Sequence, residues 1–276
     1  MKITTLLENT VCRDDFKCEH GLSLYIETAK HKLLFDMGPN AMFLENAETL
    51  GIDLSAVDTA FLSHAHNDHC GGLELFCRRN AAAPVYLQKR VFGSYYVVTP
   101  DKCRFIGLDS ALKPYARERF RYGENCAVID EELTVFSDIK THDLRSHAND
   151  TLREKVGGEY PPDRFLHEQN LIVTERGKSA LFAGCAHNGI VNILRRAEEI
   201  LGRAPDAVFA GFHLYNPTLR APEPRELVDA VGRELKAREH TRYITGHCTG
   251  EAAYGWLKEI LGDRLDYMAG GTVFEV

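Results

Sequence analysis

Four metal-binding side chains fall within six residues of this chain, at His64, His66, Asp68 and His69, in the run Ser63-His64-Ala65-His66-Asn67-Asp68-His69-Cys70-Gly71-Gly72-Leu73. The apolar run over residues 57–62 reads as a short buried strand, so His64 stands where a strand ends and His66 points to the same side. Asp68 and His69 then occupy the turn before a helix whose apolar face begins with Leu73, Leu75 and Phe76. Gly71 and Gly72 let the backbone bend and pack closely there. This order constrains the fold, because a strand must deliver the donors and a helix must follow at once. Imidazole and carboxylate are the donors that borderline ions such as zinc take. Two histidines from one side and an Asp-His pair from the next turn suit two adjacent ions, each completed by residues from later in the chain. The alternative, a surface histidine cluster without metal, does not account for the donor spacing.

His64-Ala65-His66-Asn67-Asp68-His69 resembles the His-x-His-x-Asp-His signature of the metallo-β-lactamase superfamily. Gly184-Cys185-Ala186-His187-Asn188-Gly189-Ile190-Val191-Asn192-Ile193 and Thr245-Gly246-His247-Cys248-Thr249-Gly250 resemble a narrower branch, the 7,8-dihydropterin-6-methyl-4-(ribofuranosyl)aminobenzene 5'-phosphate synthase-like proteins, related to an enzyme of methanopterin synthesis. The likeness runs from Glu19-His20-Gly21-Leu22-Ser23 to the C-terminus. It implies an α/β fold, the four-layered αββα sandwich of metallo-β-lactamase type. Leu33-Leu34-Phe35-Asp36-Met37-Gly38 resembles the superfamily's first motif, in which Asp36 would orient a metal-binding histidine or buttress the His64 loop; a plain turn aspartate is the other reading.

Residues 2–8, 21–28 and 31–36 read as strands in an antiparallel opening, and residues 39–50 as a helix. Residues 84–87 and 133–141 read as further strands, and residues 168–175 and 178–183 as a hairpin across Arg176-Gly177. That hairpin delivers His187, expected to complete the site begun by His64 and His66. Residues 207–214 repeat the design with His213 at the strand end, open to a role as ligand, proton donor, substrate contact or structural histidine. Residues 242–245 end at His247, the expected third ligand beside Asp68 and His69, and Thr249 is expected to cap the next helix. Cys185 reads as a small buried residue, with a site-facing thiol as the alternative. His20, at a strand entrance, reads as structural.

No Gly/Ser or Pro linker divides the chain, so residues 1–276 are expected to form one domain, with substrate-covering insertions near 95–123 and 143–166. Arginines in Tyr115-Ala116-Arg117-Glu118-Arg119-Phe120-Arg121-Tyr122 could meet an anionic group, or the segment is a solvated loop. With 40 acids against 33 bases the formal charge is −7, which gives no general reason to bind nucleic acid or an anionic membrane. The first residues are too soon interrupted by charge for a secretory segment and no membrane-spanning run follows, so a cytoplasmic location is expected. The eight cysteines form no Cys-x-x-Cys pair. The oligomeric state is not legible.

The expected cofactors are two divalent ions, zinc first, with manganese or iron as alternatives. They would serve a metal-dependent hydrolase or phosphate-releasing transferase acting on a small molecule, anionic or phosphorylated, through a metal-activated water. Asp68 would combine metal binding with orientation of that water, and His213 would protonate the leaving atom. Many superfamily members carry a bridging aspartate on a later strand; here the strand offers Cys185 and His187 with no acid between them. A redox or metal-dependent sensing protein on the same scaffold is the alternative.

Overall fold

The computed structural model describes residues 1–109, 112 and 118–276, so Tyr115-Ala116-Arg117 of the expected arginine segment lie outside the described residues. The chain divides into two compact units: Met1–Glu124 with Thr151–Gln169 and Ala269–Glu275, and Asn125–Asp150 with Asn170–Met268 and Val276.

The first unit is built on a seven-stranded sheet in the order Val273–Glu275, Lys2–Leu7, Ser23–Glu27, Lys32–Phe35, Thr59–Phe61, Val85–Gln88, Phe120–Gly123. Its opening is antiparallel, as the short turn between residues 28 and 31 demands. From Lys32–Phe35 onward the pairs are parallel. Parallel pairing needs crossovers, and these carry the helices Met42–Thr49 and Leu73–Arg79. Phe43, Ala47, Leu73, Phe76 and Cys77 from those helices pack with Leu6, Leu34, Ala60 and Val85 in one buried cluster. The glycine pair after the histidine motif has ordinary right-handed helical dihedrals. Close approach is what requires it: a Cβ on Gly71 would lie 2.3 Å from the Pro39 carbonyl oxygen, and one on Gly72 2.3 Å from that of Met37.

The second unit has its own seven-stranded sheet, in the order Leu265–Tyr267, Arg242–Thr245, Ala207–Ala210, Lys178–Ala183, Asn170–Glu175, Leu133–Phe136, Cys126–Val128. The expected hairpin is present, with Arg176 and Gly177 both at positive φ, the geometry of a two-residue turn that matches strand twist. Helices Ile190–Leu201, Arg225–Lys236 and Glu251–Leu261 bury Ile193, Leu194, Val231, Leu235 and Leu257 against Leu181, Val208 and Tyr243. Thr249 does not cap the last helix, whose N-cap is Gly250; its hydroxyl accepts the Phe212 N–H at 2.9 Å instead.

Within residues 95–123, Tyr95–Thr99 and Lys102–Phe105 join Leu152–Glu154 in a three-stranded sheet of the first unit, while Phe120–Gly123 is the edge strand of the seven-stranded sheet. Arg119, read as either an anion contact or part of a solvated loop, is 8% exposed and points inward, donating to the Ala83 carbonyl through Nε and Nη2 and to the Cys77 carbonyl through Nη1. Among the described residues no helix is long and apolar enough to cross a membrane.

Removing the Arg119 guanidinium leaves two buried carbonyls without these donors, so Arg119→Met is expected to lower the unfolding free energy by about 3 kcal/mol. Urea denaturation checks this, and unchanged stability would exclude the bracing role.

Candidate metal centre

In the first unit, Asp36 directly follows Lys32–Phe35, and Phe35 is level with Phe61 on the neighbouring parallel strand. The two strand ends therefore set Asp36 beside Ser63. Asp36 is fully buried and adopts φ 59, a left-handed conformation that a non-glycine residue seldom takes. Its Oδ1 accepts the Ser63 N–H at 2.7 Å; its Oδ2 accepts the Ser63 hydroxyl and His69 Nδ1, each at 2.6 Å. With the hydroxyl proton committed to Asp36, Ser63 Oγ accepts from His64 Nδ1 at 2.8 Å. Both imidazoles thus carry their proton on Nδ1 and their lone pair on Nε2. Asp36 orients a histidine and buttresses the loop at once, and is no simple turn aspartate.

His64, His66 and His69 are buried, with ring centroids 4.7 Å apart for His64 and His66 and 4.2 Å for His64 and His69. Burial, and then the neighbouring imidazoles, hold His64 well below the ordinary histidine range. Burial also lowers His66, against the opposing pull of Asp163. His64 and His66 are therefore neutral at physiological pH, the state in which imidazole binds metal. Asp68 lies in the single helical turn Asn67–Cys70, with Oδ2 3.7 Å from His69 Nε2 and 3.3 Å from His20 Nε2. Gly21 permits that approach, since a Cβ there would sit 2.6 Å from the Asp68 carbonyl oxygen. His20, read as structural, stands beside the candidate site.

Sequence reasoning missed a second buttress. The end of the insertion expected near 143–166 turns inward, burying Asp163 and Phe165 together with His167 just beyond it. The Ala65 N–H donates to His167 Nδ1 at 3.1 Å, which puts the ring proton on Nε2, where it meets Asp163 Oδ2 at 3.1 Å. The Phe165 N–H binds the other carboxylate oxygen at 2.7 Å. Burial raises the Asp163 carboxyl, but His167 and His66 outweigh it and hold the group well below the usual carboxylate range. Asp163 Oδ2 lies 3.9 Å from His66 Nε2, so His66 turns toward its carboxylate the nitrogen opposite to the one that His69 gives to Asp36.

In the second unit, Ala183, Ala210 and Thr245 stand level at the ends of three adjacent parallel strands. His187, His213 and His247 follow in the turns beyond them, where the loops after parallel strands gather side chains. His187 Nδ1 is 2.9 Å from Asn149 Oδ1, while Asn149 Nδ2 donates to the His187 carbonyl at 3.0 Å. Asn149 thus fixes both the ring and the main chain of His187, leaving the imidazole lone pair on Nε2. The rings of His187 and His213 lie 4.2 Å apart. His213 and His247 are buried at φ 49 and 51. Cys185 and Cys248 are buried as well, and their sulfurs and a His213 nitrogen lie within 4.8 Å of one another. Burial raises the Cys248 thiol, but its contacts with Cys185 and His213 pull it well below the ordinary range.

Asn149 sits in the short turn His147–Thr151, which is anchored on the buried Glu223. Glu223 accepts from Ser146 Oγ at 2.6 Å, the Ala148 N–H at 2.7 Å and His147 Nδ1 at 2.9 Å. No periodicity in the sequence connects residues 146–149 with residue 187.

The sequence profile of the metallo-beta-lactamase superfamily matches residues 17–247, a span that runs from before His20 to His247, and the chain belongs to that superfamily. Over its whole length it is 28% identical to the 7,8-dihydropterin-6-methyl-4-(beta-D-ribofuranosyl)-aminobenzene-5'-phosphate synthase of Methanocaldococcus jannaschii, covering 96% of that protein. The crystal structure of Tm1679, described as a metal-dependent hydrolase of the beta-lactamase superfamily, matches with a TM-score of 0.84 at 26% identity, over 100% of this chain and 99% of that one. Zn2+-bound PqqB from Methylobacterium extorquens matches over 100% of both chains with a TM-score of 0.58 at 10% identity, a likeness of fold. The fold class expected from the motifs is therefore the one found.

The Glu223 anchor has a defined pH response. Burial raises the Glu223 carboxyl, but its donors outweigh it and lower it, so this contribution is lost as pH falls through the lowered value. The hydrogen bond to Glu223 raises His147, so that contribution is complete below the ordinary imidazole value and lost as pH rises past the raised one. Both are present between the ordinary values of 4.5 and 6.5. The difference in urea midpoint between wild type and His147→Ala is expected to be largest in that window and to shrink at alkaline pH. Because His147 is largely exposed the difference should be small.

Proposed function

We propose that this chain is a metal-dependent enzyme acting on a small phosphorylated molecule, by hydrolysis or phosphate-releasing transfer. His64, His66, Asp68 and His69 of the first unit would hold divalent metal, and His187 and His247 of the second are the further candidate ligands, with zinc as the first choice and manganese or iron as alternatives. The observation that carries the reading is the Asp36 network. A buried carboxylate fixes His69 directly and His64 through Ser63, so that each ring is held by its Nδ1 and turns Nε2 away from the carboxylate, the arrangement that second-sphere carboxylates give to metal-binding imidazoles. Asn149 does the same for His187 with an amide. The donor set thus fits divalent metal by its chemistry.

Bound ions would supply Lewis-acid polarisation of a phosphoryl or carbonyl oxygen and a nucleophilic water at neutral pH. The chain's own groups would do the rest. Asp36, Ser63 and Asp163 hold the imidazoles in place, and His20, 3.3 Å from Asp68 and partly exposed, is placed to take up or deliver a proton there. The synthase name of the Methanocaldococcus relative ends on a 5'-phosphate, which supports a phosphorylated substrate class.

Elemental analysis of protein purified without added metal and with oxygen excluded is expected to find about two equivalents of divalent metal, falling in His64→Ala and in His187→Ala. A single equivalent of iron would favour the redox or sensing reading. A folded wild type that takes up no metal on reconstitution would refute both. Asp36→Asn places an amide N–H against the His69 proton, so metal affinity is expected to drop by about 10- to 100-fold with the fold retained. Competition with a chromophoric chelator measures this, and an unchanged affinity would remove Asp36 from the site.

A further inference from the structure

We infer that Gln169 is a positioning residue for the His64 loop, acting through the main chain of Leu62 and Ser63, a role that rests on His64 being the metal ligand proposed above. Gln169 is 2% exposed and belongs to the first unit, as do Asp36, Ser63 and His64. Its side-chain Nε2 donates to the Leu62 carbonyl at 3.0 Å and to the Tyr86 carbonyl at 2.9 Å. Its main-chain N–H donates to the Ser63 carbonyl at 2.7 Å.

These bonds fall where a strand leaves its sheet. Thr59–Phe61 pairs with Val85–Gln88 as far as Phe61 and Tyr86, and the Leu62 N–H still reaches the Tyr86 carbonyl at 2.9 Å. Continued parallel pairing would offer the Leu62 carbonyl the next N–H of the neighbouring strand. The Gln169 amide takes that carbonyl instead, so the chain departs at Ser63 without leaving a buried acceptor bare. Ser63 is then held on both sides: Asp36 takes its N–H and hydroxyl, and Gln169 donates to its carbonyl. The same hydroxyl lies 2.8 Å from His64 Nδ1, so a shift of the Ser63 main chain moves the acceptor that orients the His64 ring.

The other end of the amide shows what the residue is kept for. Gln169 Oε1 is buried with no hydrogen-bond partner among the described residues, and so is Nε2 of Gln88. Turning the Gln169 amide over would set its oxygen against two carbonyl oxygens, so the carbonyls of Leu62 and Tyr86 fix its orientation. Room is made for it: a Cβ on Gly123, level with Gln88 on the edge strand, would lie 2.7 Å from Gln169 Oε1 and 2.8 Å from Gln88 Nε2. An apolar side chain of the same length would avoid the bare oxygen, so the amide is retained for the carbonyls that precede His64.

Gln169→Met keeps the length and removes the side-chain donor, while Gly123→Ala leaves Gln169 in place and crowds its amide. Arg119→Met, which loses stability away from the site, is the control for a merely structural effect. In metal-free wild type the His64 Nδ1–H is expected as a slowly exchanging imidazole proton resonance, assigned by its loss in His64→Ala. Its exchange with water should be several-fold faster in Gln169→Met and in Gly123→Ala, and unchanged in Arg119→Met. Competition with a chromophoric chelator, at a temperature where each protein is folded, should show metal affinity lower by about tenfold in Gln169→Met and unchanged in Arg119→Met. A wild type that takes up no metal removes the metal-centre reading, and the proton exchange then decides the positioning role alone. Absence of the resonance from wild type, wild-type exchange or affinity in Gln169→Met, or an equal change in Arg119→Met would each overturn the inference.

Discussion

The buried Asp36 carboxylate is the group on which the candidate ligands of the first unit depend. A charge in a fully buried position is stable only when its oxygens are satisfied, and here the Ser63 amide, the Ser63 hydroxyl and the His69 ring do so. The Ser63 hydroxyl bond, through its further contact with His64 Nδ1, and the His69 bond also decide where the protons of His64 and His69 reside. One carboxylate therefore solves its own desolvation and sets the tautomer of two imidazoles. That coupling requires Asp36 to be level with Ser63, which the parallel register of Lys32–Phe35 and Thr59–Phe61 provides.

The second unit reaches a comparable result with neutral groups. His187 is fixed by the amide of Asn149, and that amide is held by a turn resting on Glu223. Histidine and cysteine follow the ends of three level parallel strands, the place where α/β sheets gather polar side chains without disturbing strand packing. Left-handed dihedrals at Ala186, His213 and His247 mark the same turns, and Asp36 shares the feature in the first unit. Such conformations are unfavourable for side-chain-bearing residues and are kept where the surrounding structure fixes them.

Much of the site was legible because strand, turn and helix follow one another within a few residues. The spacing from His64 to His69, the glycines after it and the apolar helices that follow announce donors at strand ends. Local signals misled where a residue had a stronger nonlocal partner. Thr249 has the composition of a helix cap, yet its hydroxyl serves Phe212, and Arg119 has the look of an anion binder, yet it braces two buried carbonyls. Asp163 lies within, and His167 just after, the polar stretch read as a substrate-covering insertion, but both turn inward beside His66.

The sequence by itself determined the superfamily, the α/β class and the candidate donors, because those follow from residue types at fixed local spacing. Only the tertiary structure decided which groups hold them: Asp163 and His167 near His66, and Asn149 on His187. The physical reason is that hydrogen bonds and ligand sets form between side chains that are adjacent in space. Parallel register and loop return bring those residues together from positions as far apart as Ala65 and His167, a separation at which no periodicity in the chain carries information.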